Sequence, residues 1–278
     1  MSFQQYRPTG FRVLPPIVKN IIIINILFYL ATFAFKNVFQ TDLYEYLAFH
    51  YVGSSKFAPY QFITYMFMHG GIGHIFFNMF AVWMFGSALE NVWGPKRFLV
   101  YYFITGIGAA IIHSLVLWYE LAPIKNAVLH YYNDPSLEAF TVLIQNHFNG
   151  YYNPLWFNEF ISMWQLNPTN PEFIQESINS SSNLLQARLD IPTVGASGAV
   201  FGVLLAFGML FPNSLIYIYF LFPIKAKWFV IIYGAIELYA GISNSTGDNV
   251  AHFAHLGGMI FGFLLIKFWN KRNRKTLF

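Results

Sequence analysis

Cysteine is absent from this 278-residue chain, and charged residues make up only 10% of it. The missing cysteine excludes disulfide bonds, a cysteine nucleophile and thiolate metal sites. A soluble domain carries roughly a quarter charged residues, so the low charge, with 56% hydrophobic and 21% aromatic residues, indicates a membrane protein. The basic residues form no single patch with interleaved stacking aromatics, and nucleic acid is therefore not predicted as a partner.

Six apolar runs are close to the roughly 20 residues that a helix needs to cross a bilayer. They cover residues 17–35, 72–93, 98–119, 196–211, 227–242 and 250–269. We predict an all-α membrane protein with one domain over residues 1–278, a bundle of six transmembrane helices surrounded by membrane lipids. The run between Pro212 and Pro223 is expected to be an interfacial connection. Residues 1–16 are polar and no small-residue cleavage site follows, so the first run should remain as an anchor.

Lysine and arginine collect on one side of the predicted bundle. Because cytoplasmic loops are enriched in these residues, that side is predicted to be cytoplasmic. Most of the acidic residues fall on the other side. We therefore expect both termini in the cytoplasm and a multi-pass location in the bacterial cytoplasmic membrane. The residues on the basic side are Arg7, Arg12, Lys19, Lys96, Arg97, Lys225, Lys227, Lys271, Arg272, Arg274 and Lys275.

Residues 120–192 are rich in asparagine, serine, tyrosine and acids, unlike the apolar runs on either side. We predict an extramembrane insertion between the third and fourth helices. Within it, Asn170, Pro171 and Glu172 are typical of a helix start. The favoured interpretation is a loop that packs on its own helices, and a substrate exosite or lid is the alternative. The apolar face of its helix would comprise Phe173, Ile174, Ile178, Leu184, Leu185 and Leu189.

Two short motifs stand at the heads of apolar runs. Gly195-Ala196-Ser197-Gly198 begins the fourth, and Ala254-His255-Leu256-Gly257-Gly258 lies early in the sixth. Glycines four residues apart let two membrane helices approach closely. If the two glycine stripes face each other, Ser197 lies opposite His255, which is an arrangement for nucleophilic catalysis. The stripes consist of Gly198 and Gly202 in the fourth run and Gly258 and Gly262 in the sixth.

His252 competes with His255 for the role of base. Helical phase favours His255, because it shares a face with Gly258 and Gly262. His252 is interpreted as a structural or interfacial histidine. Asp248 lies two turns before His255 and is expected to be a loop residue.

The second run opens with polar side chains. His74 and Asn78 are four residues apart and share a helix face, so two hydrogen-bond donors point the same way. Polar groups at membrane depth are costly, which favours a functional role such as oxyanion binding. An interhelical hydrogen bond is the alternative for Asn78. A metal is not favoured, because His69 and His74 are five residues apart without a nearby carboxylate, and we predict no cofactor.

In their joint order these motifs resemble the rhomboid family of intramembrane serine proteases, over nearly all six runs. A Gly-x-Ser-Gly alone would be weak, but the ordered set is specific. The matching residues are His69, His74 and Asn78, then Glu90, then Gly195, Ser197 and Gly198, and finally Ala254, His255, Gly258 and Gly262.

The resemblance implies a serine endopeptidase that cuts transmembrane helices of other proteins with a Ser–His dyad. Ser197 would attack the peptide carbonyl and His255 would take its proton, with no carboxylate partner. His74, Asn78 and the backbone N–H of Ser197 would form the oxyanion hole. Phe201 would stack beneath His255, at a position where many relatives have tyrosine.

Two further departures concern the outer loops. Pro59-Tyr60-Gln61-Phe62 stands where many relatives have a Trp-Arg pair, and the insertion before Gly195 is long. An inactive rhomboid-like chaperone that recognises membrane helices is the nearest alternative, and a transporter is a distant one. Keeping both Ser197 and His255 argues against the chaperone. A transporter should show repeated halves, and the sequence has none.

Overall fold

The computed structural model describes residues 10–218, 221–243 and 250–275, which are mainly helical. A π-helical turn at Val82–Gly86 joins two helices into one continuous segment. The α-helices are α1 Pro16–Val38, α2 Leu43–Leu47, α3 Gln61–Thr64, α4 Ile72–Ala81, α5 Ser87–Trp93, α6 Pro95–Asn133, α7 Leu137–His147, α8 Pro154–Leu166, α9 Pro171–Leu189, α10 Ser197–Leu210, α11 Ala226–Ser243 and α12 His252–Lys275.

The described residues include five helical segments long and apolar enough to cross a membrane: α1, α4 to α5, α6, α11 and α12. Their outer faces expose large apolar side chains such as Leu30, Phe33 and Phe77, as lipid contact requires. The predicted all-α membrane bundle is confirmed. The sixth predicted helix, α10, has only 14 residues. At 1.5 Å per residue it is about 21 Å long, shorter than the roughly 30 Å hydrocarbon layer.

One predicted boundary was wrong. The third helix does not end near Tyr119 but continues as α6 to Asn133. Leu121, Ile124 and Val128, spaced three and four residues apart, are buried and give these extra turns an apolar face. The predicted connection after Pro212 contains an antiparallel hairpin of β1 Leu215–Ile218 and β2 Phe222–Lys225, and its place at the membrane interface stays a prediction.

The chain divides into two compact units. The first comprises Met1–Phe49, Ala58–His113 and Thr193–Phe278, and the second His50–Phe57 and Ser114–Pro192. Helix α6 thus contributes residues to both. The placement of the predicted insertion 120–192 outside the membrane stays a prediction.

The second unit has its own apolar core. Helix α7 packs against α8 and α9 around aromatic side chains such as Phe140, Phe160 and Trp164. The predicted start of α9 is confirmed, because the side chain of Asn170 accepts a hydrogen bond from the backbone N–H of Glu172. All six residues of its predicted apolar face belong to this core or pack against it.

A buried carboxylate ties the beginning of α1 to the second membrane segment of the first unit. Glu90 is 3% exposed. Its Oε1 accepts a hydrogen bond from the N–H of Ile17 at 3.0 Å and its Oε2 from Val18 at 2.9 Å. The first N–H groups of a helix have no partner within the helix and favour negative charge. Glu90 therefore stabilises the start of α1.

The glycine stripes of α10 and α12 come into direct backbone contact at Gly198 and Gly258. A methyl group on Gly258 would lie 1.9 Å from the carbonyl oxygen of Gly198, so these two backbones are in direct contact. A methyl group on Gly202 would meet Thr105 of α6, and one on Gly262 would meet Tyr101 and then Thr105 of the same helix. The two stripes therefore face each other at Gly198 and Gly258, and α6 packs beside both of them.

Candidate active site

The segment before α10 is held in place by backbone contacts. Gly195 donates its N–H to the carbonyl oxygen of Tyr65 at 2.9 Å, and its φ of +124° suits glycine. The hydroxyl of Tyr65 donates to the carbonyl oxygen of Gly106 at 2.7 Å, and burial raises the pKa of this phenol, so it stays neutral. Helix α10 then begins at Ser197, which places the serine at a fixed helix start.

The structure brings Ser197 and His255 together. Nε2 of His255 lies 2.8 Å from Oγ of Ser197, at hydrogen-bond distance. The imidazole is nearly buried, with 8% of the residue exposed. Phe201 stacks on it with ring centroids 4.2 Å apart and planes inclined by 6°. The side chain of His255 is therefore held between a polar partner and an aromatic face.

Glu237 in α11 was not among the residues predicted from the sequence, but it contacts His255. Its Oε2 lies 2.7 Å from Nδ1 of His255 and 2.7 Å from Nδ1 of His252. His252 is thus next to this carboxylate. A signal was present in the sequence, because Glu237 is the only acidic residue of the apolar helix Ala226–Ser243, and an ionisable residue inside a membrane segment is by default a functional candidate. Asp248 lies outside the described residues.

His74 presents a donor next to Ser197. Nδ1 of His74 accepts a hydrogen bond from the N–H of Gly70 at 3.4 Å, which assigns the ring hydrogen to Nε2. A methyl group on Gly195 would lie 2.7 Å from this Nε2 and 3.6 Å from Oγ of Ser197. The two atoms therefore border the same small space.

Asn78 is buried on the same helix as His74. Its Nδ2 is buried, and no acceptor for it occurs among residues 10–218, 221–243 and 250–275. A buried donor without an acceptor is destabilising. The described part of the chain gives no support to the interhelical hydrogen bond that was the alternative for Asn78.

His69 lies beside His74, with ring centroids 5.1 Å apart. It is 1% exposed, and burial lowers its pKa to about 4, so the ring is neutral at physiological pH. It does not reach Ser197 by any hydrogen bond of the described residues. We assign it no chemical role.

Glu237, His252 and His255 also have the ligand types of a zinc site, with ligand atoms within 4.8 Å of one another. Each histidine is, however, at normal hydrogen-bond distance from the carboxylate. Two hydrogen bonds thus account for the positions of these polar atoms. The expectation that the site works without a metal stays a prediction.

Comparisons with known proteins agree with the motifs. A family model described as a Rhomboid domain matches residues 56–122 and 173–271. Rhomboid-like protein 11 of Arabidopsis thaliana, described as chloroplastic, is 35% identical over 97 residues, 35% of this chain and 32% of that protein. An uncharacterized mitochondrial rhomboid protein of Schizosaccharomyces pombe is 26% identical over 218 residues, 76% of this chain and 52% of that protein. Rhomboid protease GluP of Bacillus subtilis is 33% identical over 69 residues, 25% of this chain and 14% of that protein.

The chain spans about half the length of these relatives, or less. Their names include chloroplast and mitochondrial proteins as well as one from a bacterium. The comparisons therefore agree with a multi-pass membrane protein but do not support the bacterial cytoplasmic membrane in particular.

Proposed function

Because the chain belongs to the rhomboid family, which is known for intramembrane serine proteases, we propose that it is an intramembrane serine endopeptidase acting on transmembrane helices of other proteins. The observation that carries this proposal is the 2.8 Å contact between Ser197 Oγ and His255 Nε2. A nucleophile within hydrogen-bond reach of a base is the arrangement that covalent catalysis needs. An inactive relative would have no need to keep these two side chains at hydrogen-bond distance.

In the proposed reaction, Oγ of Ser197 attacks the carbonyl carbon of the substrate while His255 Nε2 takes the hydroxyl proton. The tetrahedral intermediate collapses as His255 gives that proton to the leaving amine, which departs and leaves an acyl-enzyme on Ser197. Water then attacks the ester carbonyl, again with His255 as the base. The carboxylic acid leaves and the proton returns to Oγ.

The negative charge that develops on the carbonyl oxygen needs donors that are already in position. Ser197 is the first residue of α10, and the first four N–H groups of a helix have no partner within it. Nε2 of His74 and Nδ2 of Asn78 supply two further N–H groups. We assign these three donors to the oxyanion hole, where fixed dipoles in a water-poor site stabilise the transition state.

The surroundings of the site support the proposal of membrane-embedded substrates. Ser197 begins a helix too short to cross the hydrocarbon layer, within a bundle whose outer faces are apolar and contact membrane lipids. A substrate helix satisfies its own backbone hydrogen bonds in lipid, so it must unwind locally before Oγ reaches a carbonyl carbon. We propose that both termini lie on the side rich in lysine and arginine, which in a bacterial cytoplasmic membrane would face the cytoplasm.

The direct test compares the native chain with a Ser197→Ala variant in reconstituted vesicles that contain a model transmembrane substrate. Appearance of two substrate fragments with the native chain, and their absence with the variant, is the expected result. Equal fragment yields from both would refute the proposal. Chaperone function would instead show substrate binding by both chains with no fragments.

Asn78→Ala should lower turnover far more than substrate affinity. A donor that bonds mainly the developing oxyanion contributes to the transition state and little to ground-state binding. Because two donors remain, we expect kcat to fall roughly tenfold to a thousandfold with a nearly constant KM. Steady-state kinetics normalised to folded protein measures this, with thermal unfolding in detergent as the control. A large drop in Tm with unchanged turnover per folded molecule would assign Asn78 to helix packing.

Cleavage should survive EDTA and stop when a serine-directed covalent inhibitor is added. The nucleophile of the proposed reaction is Ser197, and none of its steps involves a metal. Mass spectrometry of the inhibited protein should find the adduct on Ser197. Loss of cleavage on chelation, with recovery on adding Zn²⁺, would point to a metalloprotease instead.

A further inference from the structure

We propose that Glu237 is a positioning residue for His255, so that the site operates with Ser197, His255 and a carboxylate rather than with a dyad. This inference rests on the proposed protease function and adds a third functional group to it. The carboxylate belongs to α11, whereas Ser197 belongs to α10 and His255 to α12. Three helices thus converge on one hydrogen-bonded line.

The line runs from Oγ of Ser197 through the imidazole of His255 to Oε2 of Glu237. Its two contacts measure 2.8 Å and 2.7 Å, and they use the two different ring nitrogens of His255. A carboxylate only accepts hydrogen bonds, so the ring hydrogen lies on Nδ1. Nε2 is then the nitrogen with a free lone pair, and it faces the hydroxyl of Ser197. Glu237 thereby selects the tautomer in which His255 acts as a base.

Glu237 also suits the charge that forms during the reaction. When His255 takes the serine proton it becomes an imidazolium, and a carboxylate 2.7 Å away stabilises it. Both residues are buried, at 5% and 8% exposure, so water screens this attraction little. The stabilisation grows as the transition state forms, which is the kind of interaction that raises kcat.

His252 keeps the carboxylate in place from a second direction. Its Nδ1 donates to the same Oε2 at 2.7 Å, and its ring stands nearly perpendicular to that of His255, at 85°. A buried carboxylate in a membrane helix is costly unless it is hydrogen-bonded. With two charge-assisted hydrogen bonds, Oε2 is fixed in position. His252 thus contributes to the position of the carboxylate, which in turn contacts His255.

The experiment uses the full chain in vesicles with a model transmembrane substrate, and compares Glu237→Gln with the native protein. Glutamine keeps the size of the side chain but loses the charge, and its amide N–H groups oppose the N–H groups of the histidines. We expect kcat to fall on the order of a hundredfold to ten-thousandfold, with KM within about threefold of the native value. Ile236→Val is the matched control, because Ile236 is the neighbouring residue and is 55% exposed. It should retain native kinetics.

A second measurement separates positioning from a structural role. In protein labelled with ¹⁵N-histidine, the nitrogen chemical shifts report which ring nitrogen of His255 carries the hydrogen. The native chain should show the Nδ1–H form, and Glu237→Gln a mixture of tautomers. The Ser197→Ala variant is the inactive control in both assays. If Glu237→Gln does not fold, Glu237→Asp serves in its place, and its kcat should lie below the native value with the Nδ1–H form retained.

The outcomes are distinct. If the native chain and Ser197→Ala produce equal fragment yields, the proposed function itself fails. If the native chain cleaves but Glu237→Gln keeps kcat within threefold, or loses activity only in proportion to unfolded protein, the positioning role is wrong. Dependence of native cleavage on added Zn²⁺ after EDTA treatment would overturn it too, by making Glu237 a metal ligand.

Discussion

Replacing either Ser197 or His255 by alanine is expected to abolish cleavage of a transmembrane substrate, with a loss of about a millionfold in kcat. Each change removes one end of the 2.8 Å contact on which proton transfer depends. Because the two residues act as one unit, the double variant should be no slower than either single variant. The fragment yield from vesicles, followed over hours, measures the loss of kcat. Circular dichroism tests whether the helices remain.

His252→Ala is the matched control for this result, since it removes an imidazole one turn away on the same helix. It should keep substantial activity, because His252 contacts Glu237 and not Ser197. A dead His252→Ala combined with an active His255→Ala would reverse the assignment of the base. A modest loss of activity in His252→Ala would be consistent with the proposal, because the carboxylate of Glu237 then lacks one of its two hydrogen bonds.

The second large effect concerns Gly258→Ala in α12. The added methyl group would lie 1.9 Å from the carbonyl oxygen of Gly198, a backbone atom that no side-chain movement displaces. Helices α10 and α12 must therefore move apart, and the 2.8 Å contact between Ser197 and His255 must lengthen with them. We expect a destabilisation of about 3 kcal/mol or more, together with loss of cleavage by the molecules that remain folded.

Thermal unfolding in detergent and kinetics per folded molecule measure these two consequences separately. Gly73→Ala is the control, because a methyl group there meets nothing within 4 Å and alanine favours a helix. Its Tm should equal or exceed that of the native chain. An unchanged Tm in Gly258→Ala would show that the contact between the two backbones is unimportant for stability.

The parts of the fold that sequence predicts well are those encoded locally. Apolar runs located the membrane helices, and Asn170 before Pro171 located the start of α9, since both signals lie within the element itself. The end of α6 was missed because its later turns are buried against residues distant in sequence. Likewise, nothing in the spacing of Gly202 and Gly262 shows that α6 would pack against them.

In the candidate site, too, some residues can be predicted from local sequence and others cannot. Ser197 and His255 stand in motifs whose order is specific, so sequence alone selects them. Glu237 has no motif around it, and its contact with His255 depends on how α11 packs against α12. Periodicity within α11 does not show which residue of a neighbouring helix Glu237 will contact. The remaining clue was chemical, a single carboxylate in an apolar helix.

The shortness of α10 has a consequence for where substrates are cut. A helix of 14 residues leaves about 9 Å of a roughly 30 Å hydrocarbon layer uncovered. Suppose that this uncovered ~9 Å lies entirely between Ser197 and the nearer surface of the hydrocarbon layer. About six residues of a substrate helix then lie within the layer before one of its peptide bonds is level with Oγ of Ser197. If the protein is a protease as proposed, the length of α10 determines how deep in the bilayer the substrate is cut. Side-chain preferences then select among the neighbouring peptide bonds.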